Sequence, residues 1–134
     1  MRRLLTTLAG AILAAGMAFA QDNVAIEDVI LDQLDAFTDR DAARAFDHAS
    51  PMIQDMFGNP GVFALMVEQG YPMVWDNREV RFLDLREING AWWQQIMIRD
   101  ARGNLHLLDY QMIEVAGDWQ INGVQILPIP DVGV

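Results

Sequence analysis

Apolar residues at Ile26, Val29, Ile30, Leu34 and Phe37 recur at the three- and four-residue spacing of one helix face, while Glu27, Asp28, Asp32 and Asp35 fall elsewhere. This spacing predicts an amphipathic helix. Asp41 is placed to cap a short second helix carrying Ala42, Ala45, Phe46 and Ala49. A punctuation pattern then appears twice. Ser50-Pro51 opens a segment that closes at Gly58, and Asn59-Pro60 opens another that closes at Gly70. Each pairs an N-cap with Pro at the first helical position and Gly past the last turn. Tyr71-Pro72 ends the helical half, because the residue before proline is pushed to extended geometry. An irregular link through Trp75 is expected there.

Beyond Trp75 the pattern turns to strands. Arg78–Ile88 is the first, and Asn89-Gly90 is the strongest hairpin signal in the chain. Ala91–Arg99 is the second, turned by Asp100–Asn104. Leu105–Glu114 is the third, turned by Ala116-Gly117-Asp118. Trp119–Leu127 is the fourth, and Pro128 and Pro130 end the sheet. Helices followed by an antiparallel meander make an α+β fold, and no helix is available between strands for a parallel arrangement. The strands do not alternate cleanly. Trp92, Ile96 and Ile98 point one way, Trp93 and Met97 the other; Leu105 and Leu107 oppose Leu108, Tyr110 and Met112. Apolar residues on both faces imply that the second face is covered as well, most simply by another copy in a homodimer.

The first twenty residues follow a different logic. Arg2 and Arg3 precede an apolar run from Leu4 to Phe19, and Ala18-Phe19-Ala20 supplies small residues at a cleavage site. That is the layout of a secretory signal peptide. Cleavage after Ala20, a single domain over 21–134, and a periplasmic or secreted location are expected, with no membrane association afterwards. The remaining chain carries seven arginines and no lysine against 19 acids, a formal charge of −12. Such a surface repels phosphate backbones and anionic headgroups, so nucleic acid is excluded as a partner. The chain has no cysteine, hence no disulfide, thiolate nucleophile or thiolate metal site. His48 and His106 stand apart and match no metal-ligand spacing. Neither a metal nor a cofactor is expected.

Several longer strings carry a resemblance. Ser50-Pro51 with Met56-Phe57-Gly58, Gly70-Tyr71-Pro72-Met73-Val74-Trp75, Val80–Arg86 and Leu107-Leu108-Asp109-Tyr110 resemble a group of small exported bacterial proteins known as domain of unknown function 4864. The helices, the meander and the closing Trp119–Val124 are similar to the nuclear transport factor 2-like (SnoaL-like) cone fold. The resemblance spans about residues 24–127. It implies a fold and a compartment but no activity, since that superfold hosts isomerases, dehydratases, transport factors and assembly modules.

On such a fold the concave sheet face and the first helices would enclose a pocket. An isomerase there needs a carboxylate base and an oxyanion hole. The available pieces are Asp109, Tyr110, His106 and Asp84, with His48 and Tyr71 besides. His106 and Tyr110 share a strand face, whereas Asp109 faces away from Tyr110, so a joint site would require a bulge. Ligand-binding candidates are Tyr71, Trp75, Arg81 and Trp93, together with Arg86, because a concave arginine holds a carboxylate well. Plainer roles stand beside these: a sheet histidine for His106, a structural acceptor for Asp109, and core or interface positions for Tyr71 and the tryptophans. With no Gly-rich phosphate loop, nucleophile elbow or metal motif, the expectation is a non-enzymatic domain binding a small ligand or an envelope protein. The alternative is an isomerase or dehydratase with a carboxylate base in the pocket.

Overall fold

A computed structural model describes the backbone of residues 9–130 and the side chains of residues 22–130. Arg2, Arg3 and the start of the apolar run lie outside the described residues, as do the side chains of Ala18-Phe19-Ala20. Helix α1 (Ala9–Thr38) buries Ile26, Ile30, Leu34 and Phe37 almost completely. Its end is set by Arg40, which takes a positive φ of 58° while its N–H donates to the Phe37 carbonyl and the Asp41 N–H to that of Ala36. This is the paired closure of a Schellman turn, here with arginine at the position glycine usually fills. The Arg40 guanidinium lies 4.1 Å from the Trp75 ring centre and donates to Asp76, so its contacts offset the strained backbone. Among the described residues no helix is long and apolar enough to cross a membrane.

The caps act as the spacing implied. Asp41, Ser50 and Asn59 accept from the N–H groups of Arg44, Ile53 and Val62, opening α2 (Ala42–Asp47), α3 (Pro51–Phe57) and α4 (Pro60–Gly70). Gly58 closes α3 at φ 81°. Gly70 does not play the matching role. It is the last residue of α4, and Tyr71 is the cap at φ −135°, since a pre-proline residue leaves the helix through extended space. The segment expected to be irregular through Trp75 is helical: Pro72–Trp75 forms α5, with the Trp75 and Asp76 N–H groups donating to Tyr71 and Pro72. Proline's fixed φ suits a first helical position, and that preference wins over the break it imposes one residue earlier.

Strands β1 (Asn77–Ile88), β2 (Ala91–Asp100), β3 (Leu105–Val115) and β4 (Asp118–Leu127) form one antiparallel sheet in chain order. Asn89 and Gly90, both at positive φ, make the first hairpin, and Ala116 and Gly117 make the last. The molecule is therefore α+β, with helices preceding an open four-stranded meander. The face turned to the helices carries Ile96, Ile98, Leu108, Tyr110 and Met112, all buried against Phe37, Phe46, Phe63 and Val67. The outer face carries a half-buried row, Met97 beside Leu107 beside Leu127.

The two sheet edges differ. The free edge of β4 is occupied: Ile121 donates to the His48 carbonyl and accepts from the Ser50 N–H, so the α2–α3 connection lies along it as a parallel bridge. The free edge of β1 is uncovered by strand, but Arg78, Glu79, Arg81, Asp84, Arg86 and Glu87 load it with charge and its register slips twice.

Candidate functional site

A cavity of about 270 Å³ lies between the helices and the inner sheet face. Its wall is built mainly by three helices and two strands, for identifiable reasons. Helix α1 turns Gln33 and Phe37 inward on its apolar stripe. Helices α3 and α4 contribute methionines and aromatics at helical spacing, β3 contributes Tyr110, and β4 contributes Ile121 to Val124. The β4 contribution depends on a bulge. Gln111 pairs with Gly123 and Met112 with Ile121, which leaves Asn122 as the extra residue. Its side chain accepts from the Ser50 hydroxyl at 2.7 Å and donates to Gln111 at 2.9 Å, fixing the kink.

The wall is almost wholly apolar, and none of its side chains carries a formal charge. Most of its polar groups are already committed. The Tyr71 hydroxyl donates to the Val124 carbonyl at 3.2 Å, and the Gln33 amide donates to the Ala45 carbonyl at 3.1 Å. Tyr110 is different. It is fully buried, and its hydroxyl has no hydrogen-bond partner. Burial, reinforced by the neighbouring Tyr71, pushes its ionisation well above the usual phenol range, so it remains a neutral O–H. The mouth is methionine-rich: Met52 and Met56 of α3 are exposed, and Met66 of α4 is half-buried. Helix α3 has no fully buried residue.

Of the residues singled out in the sequence, Tyr71 and Tyr110 meet at this cavity. The others are dispersed. Asp109 sits on the outer face, as strand parity implied, and the only bulge in β3–β4 pairing comes after it. Both its oxygens are held by Arg86, at 2.9 and 2.7 Å, in a forked pair with the carboxylate only 8 % exposed. The Arg86 guanidinium is held above its usual range by that hydrogen bonding, against the opposing effect of burial. Arg86 thus does hold a carboxylate, but one of this chain. Asp84 is exposed at the slip in β1, and Arg81 is exposed on the outer face beside Met97. Trp93 stands half-buried next to Arg86 in the sheet. Trp75 packs on Phe37 and under Arg40. His106 bonds to Asp100 at 2.8 Å at the far end of β3, and this contact holds the Asp100 carboxyl below its usual range.

One cluster has no counterpart in the sequence reading. Asp32 of α1 accepts from Arg44 at 2.6 Å and meets His48 Nε2 at 2.6 Å. Hydrogen bonding from Arg44 first, then His48, holds its carboxyl down to about 2. The charges lie on separate helices twelve and sixteen residues apart, so no local spacing marks them. Among the described residues no group of three or more acidic, histidine or cysteine side chains is arranged to hold a metal.

The fold has a counterpart among solved structures. The solution structure of a SEC-C motif containing protein from Rhodopseudomonas palustris is similar at TM-score 0.51 and 18 % identity, over 69 % of this chain and 71 % of that one. At that identity the likeness concerns the fold alone. Comparison with curated proteins returns no match. The family described as Domain of unknown function (DUF4864) matches residues 19–134, and the chain belongs to it.

Proposed function

We propose that this is an exported binding protein, released after Ala20, that holds a small molecule between its helices and its sheet without converting it. One observation carries the reading: a cavity of about 270 Å³ whose wall is apolar and includes Tyr110, a fully buried side chain whose hydroxyl has no partner. Ligand sites have this composition, an apolar wall with a few converging polar groups. The same wall holds no carboxylate to act as a base, which favours binding over the isomerase or dehydratase alternative. The nearest candidate base in sequence, Asp109, is engaged by Arg86 on the other face.

Native mass spectrometry on protein recovered from the periplasm of its source tests this. The expected spectrum shows a chain beginning at Gln21 with a retained small-molecule mass, and loss of that mass in Met66→Trp, which fills the mouth. The same spectrum reads the homodimer expected from apolar residues on both sheet faces. An uncleaved chain removes the export part of the proposal. A chain that is always empty, and that no small apolar compound stabilises, removes the binding part.

A further inference from the structure

We infer that the ligand is a neutral, mainly apolar molecule with a hydrogen-bond acceptor such as a ketone oxygen, and that the acceptor is taken by the Tyr110 hydroxyl. The inference rests on the binding reading above and specifies its chemistry. It follows from what the wall offers and what it has already spent. The Tyr71 hydroxyl proton goes to Val124, the Gln33 amide to Ala45, and the Asn122 amide to Gln111. Each of those side chains has a partner, whereas the buried Tyr110 hydroxyl has none. A buried hydroxyl without a partner is unfavourable, and a ligand oxygen removes that penalty on binding.

The excluded classes follow as directly. A carboxylate, phosphate or ammonium would be taken from water into a wall with no counter-charge, a cost far larger than any apolar contact there returns. A sugar brings more hydroxyls than the wall has partners for. Tyr110 carries no exposed surface, so the ligand reaches it by displacing lining side chains. The unbranched thioethers of Met52, Met56 and Met66 make such displacement easy, because they repack at small cost around varied shapes.

Three probes of matched shape separate the possibilities: 4-phenyl-2-butanone, its hydrocarbon analogue isopentylbenzene, and the isosteric anion 3-phenylpropanoate. Calorimetric titration of the processed full chain at neutral pH reads each affinity. The ketone is expected to bind about fivefold tighter than the hydrocarbon, the worth of one added hydrogen bond, and the carboxylate not to bind measurably. In Tyr110→Phe the ketone should lose at least that fivefold and fall below the hydrocarbon, because its oxygen is then buried without a donor, while the hydrocarbon's affinity stays unchanged. The carbonyl stretch of the bound ketone, which drops in frequency on accepting a hydrogen bond, reads the same contact without any variant. Equal affinities for ketone and hydrocarbon in the wild type, or preference for the carboxylate, overturn the assigned ligand class and leave the cavity as a binding site. Failure of all three probes on a chain that also purifies empty removes the binding site itself.

Discussion

Removing the Tyr110 hydroxyl should make the empty protein more stable. Tyr→Phe changes are ordinarily destabilising because the hydroxyl has a partner. Here it has none, and the side chain is fully buried between the sheet and the aromatic cluster of α1 and α4. Leaving a hydroxyl buried without a hydrogen bond costs about 1–3 kcal/mol. Deleting the oxygen leaves a void of roughly one atom, which at about 24 cal/mol per Å³ of cavity returns only a few tenths of a kcal/mol. The net expectation is a gain of about 1 kcal/mol, or a rise in Tm of about 3–5 °C for a domain of this size. Urea denaturation of ligand-free protein followed by circular dichroism measures it, provided both variants show the same denaturant slope. A loss of 1 kcal/mol or more would mean that the hydroxyl is bonded, to a buried water or a moved neighbour. The hydroxyl would then not be free to hold a ligand oxygen.

Other substitutions probe the frame around the cavity. Arg86→Met should cost about 3 kcal/mol, because it leaves the Asp109 carboxylate buried with both oxygens unpaired; in the double variant with Asp109→Leu, thermal melts should recover most of that loss, and no recovery would mean that the pair is not what Arg86 contributes. Ala116 occupies a left-handed turn position at φ 52°, so Ala116→Asn should raise stability by about 0.5–1 kcal/mol in the same denaturation assay. Asp32 has its carboxyl held at about 2 in the folded protein, below the ordinary 3.8. A depressed carboxyl stabilises the fold above its unfolded pKa, and that contribution is lost as pH falls from about 5 toward 2. The pair is solvent-exposed, so the contribution is about 1 kcal/mol or less. Asp32→Asn should flatten the stability profile in that window, and an unchanged profile would refute the assignment.

What the sequence made legible depended on how local the determining contact was. The α2, α3 and α4 starts were readable because Asp41, Ser50 and Asn59 each bond within three residues. Asn89-Gly90 was readable because a two-residue turn needs two positive φ values, which that pair supplies at low cost. Strand parity alone separated Tyr110 from Asp109. Where two local rules competed, as at Tyr71-Pro72, the spacing did not say which would win. The partners of Asp109 and Asp32 were illegible for a simpler reason. Arg86 reaches Asp109 across two strand pairings, and Arg44 reaches Asp32 across a helix–helix contact. Only the assembled fold creates either proximity. The cavity wall was half legible. Tyr71 and Tyr110 were named, but Asn122 depended on a bulge that no residue type announces, and the methionines read equally well as core.

The unequal treatment of the two sheet edges has a consequence for self-association. An open strand edge is a template on which another chain can add a strand. At β4 that template is physically blocked by residues 48–50, whatever the solvent. At β1 the guard is electrostatic, six charges along twelve residues plus two slips of register. Salt screens the charges at β1 and leaves the block at β4 in place. If chains of this protein associate edge to edge at high ionic strength, they should join β1 to β1, while covered β4 stays a dead end. Each chain would then offer one growing edge, and growth would stop at paired chains unless the α2–α3 connection is first pulled away.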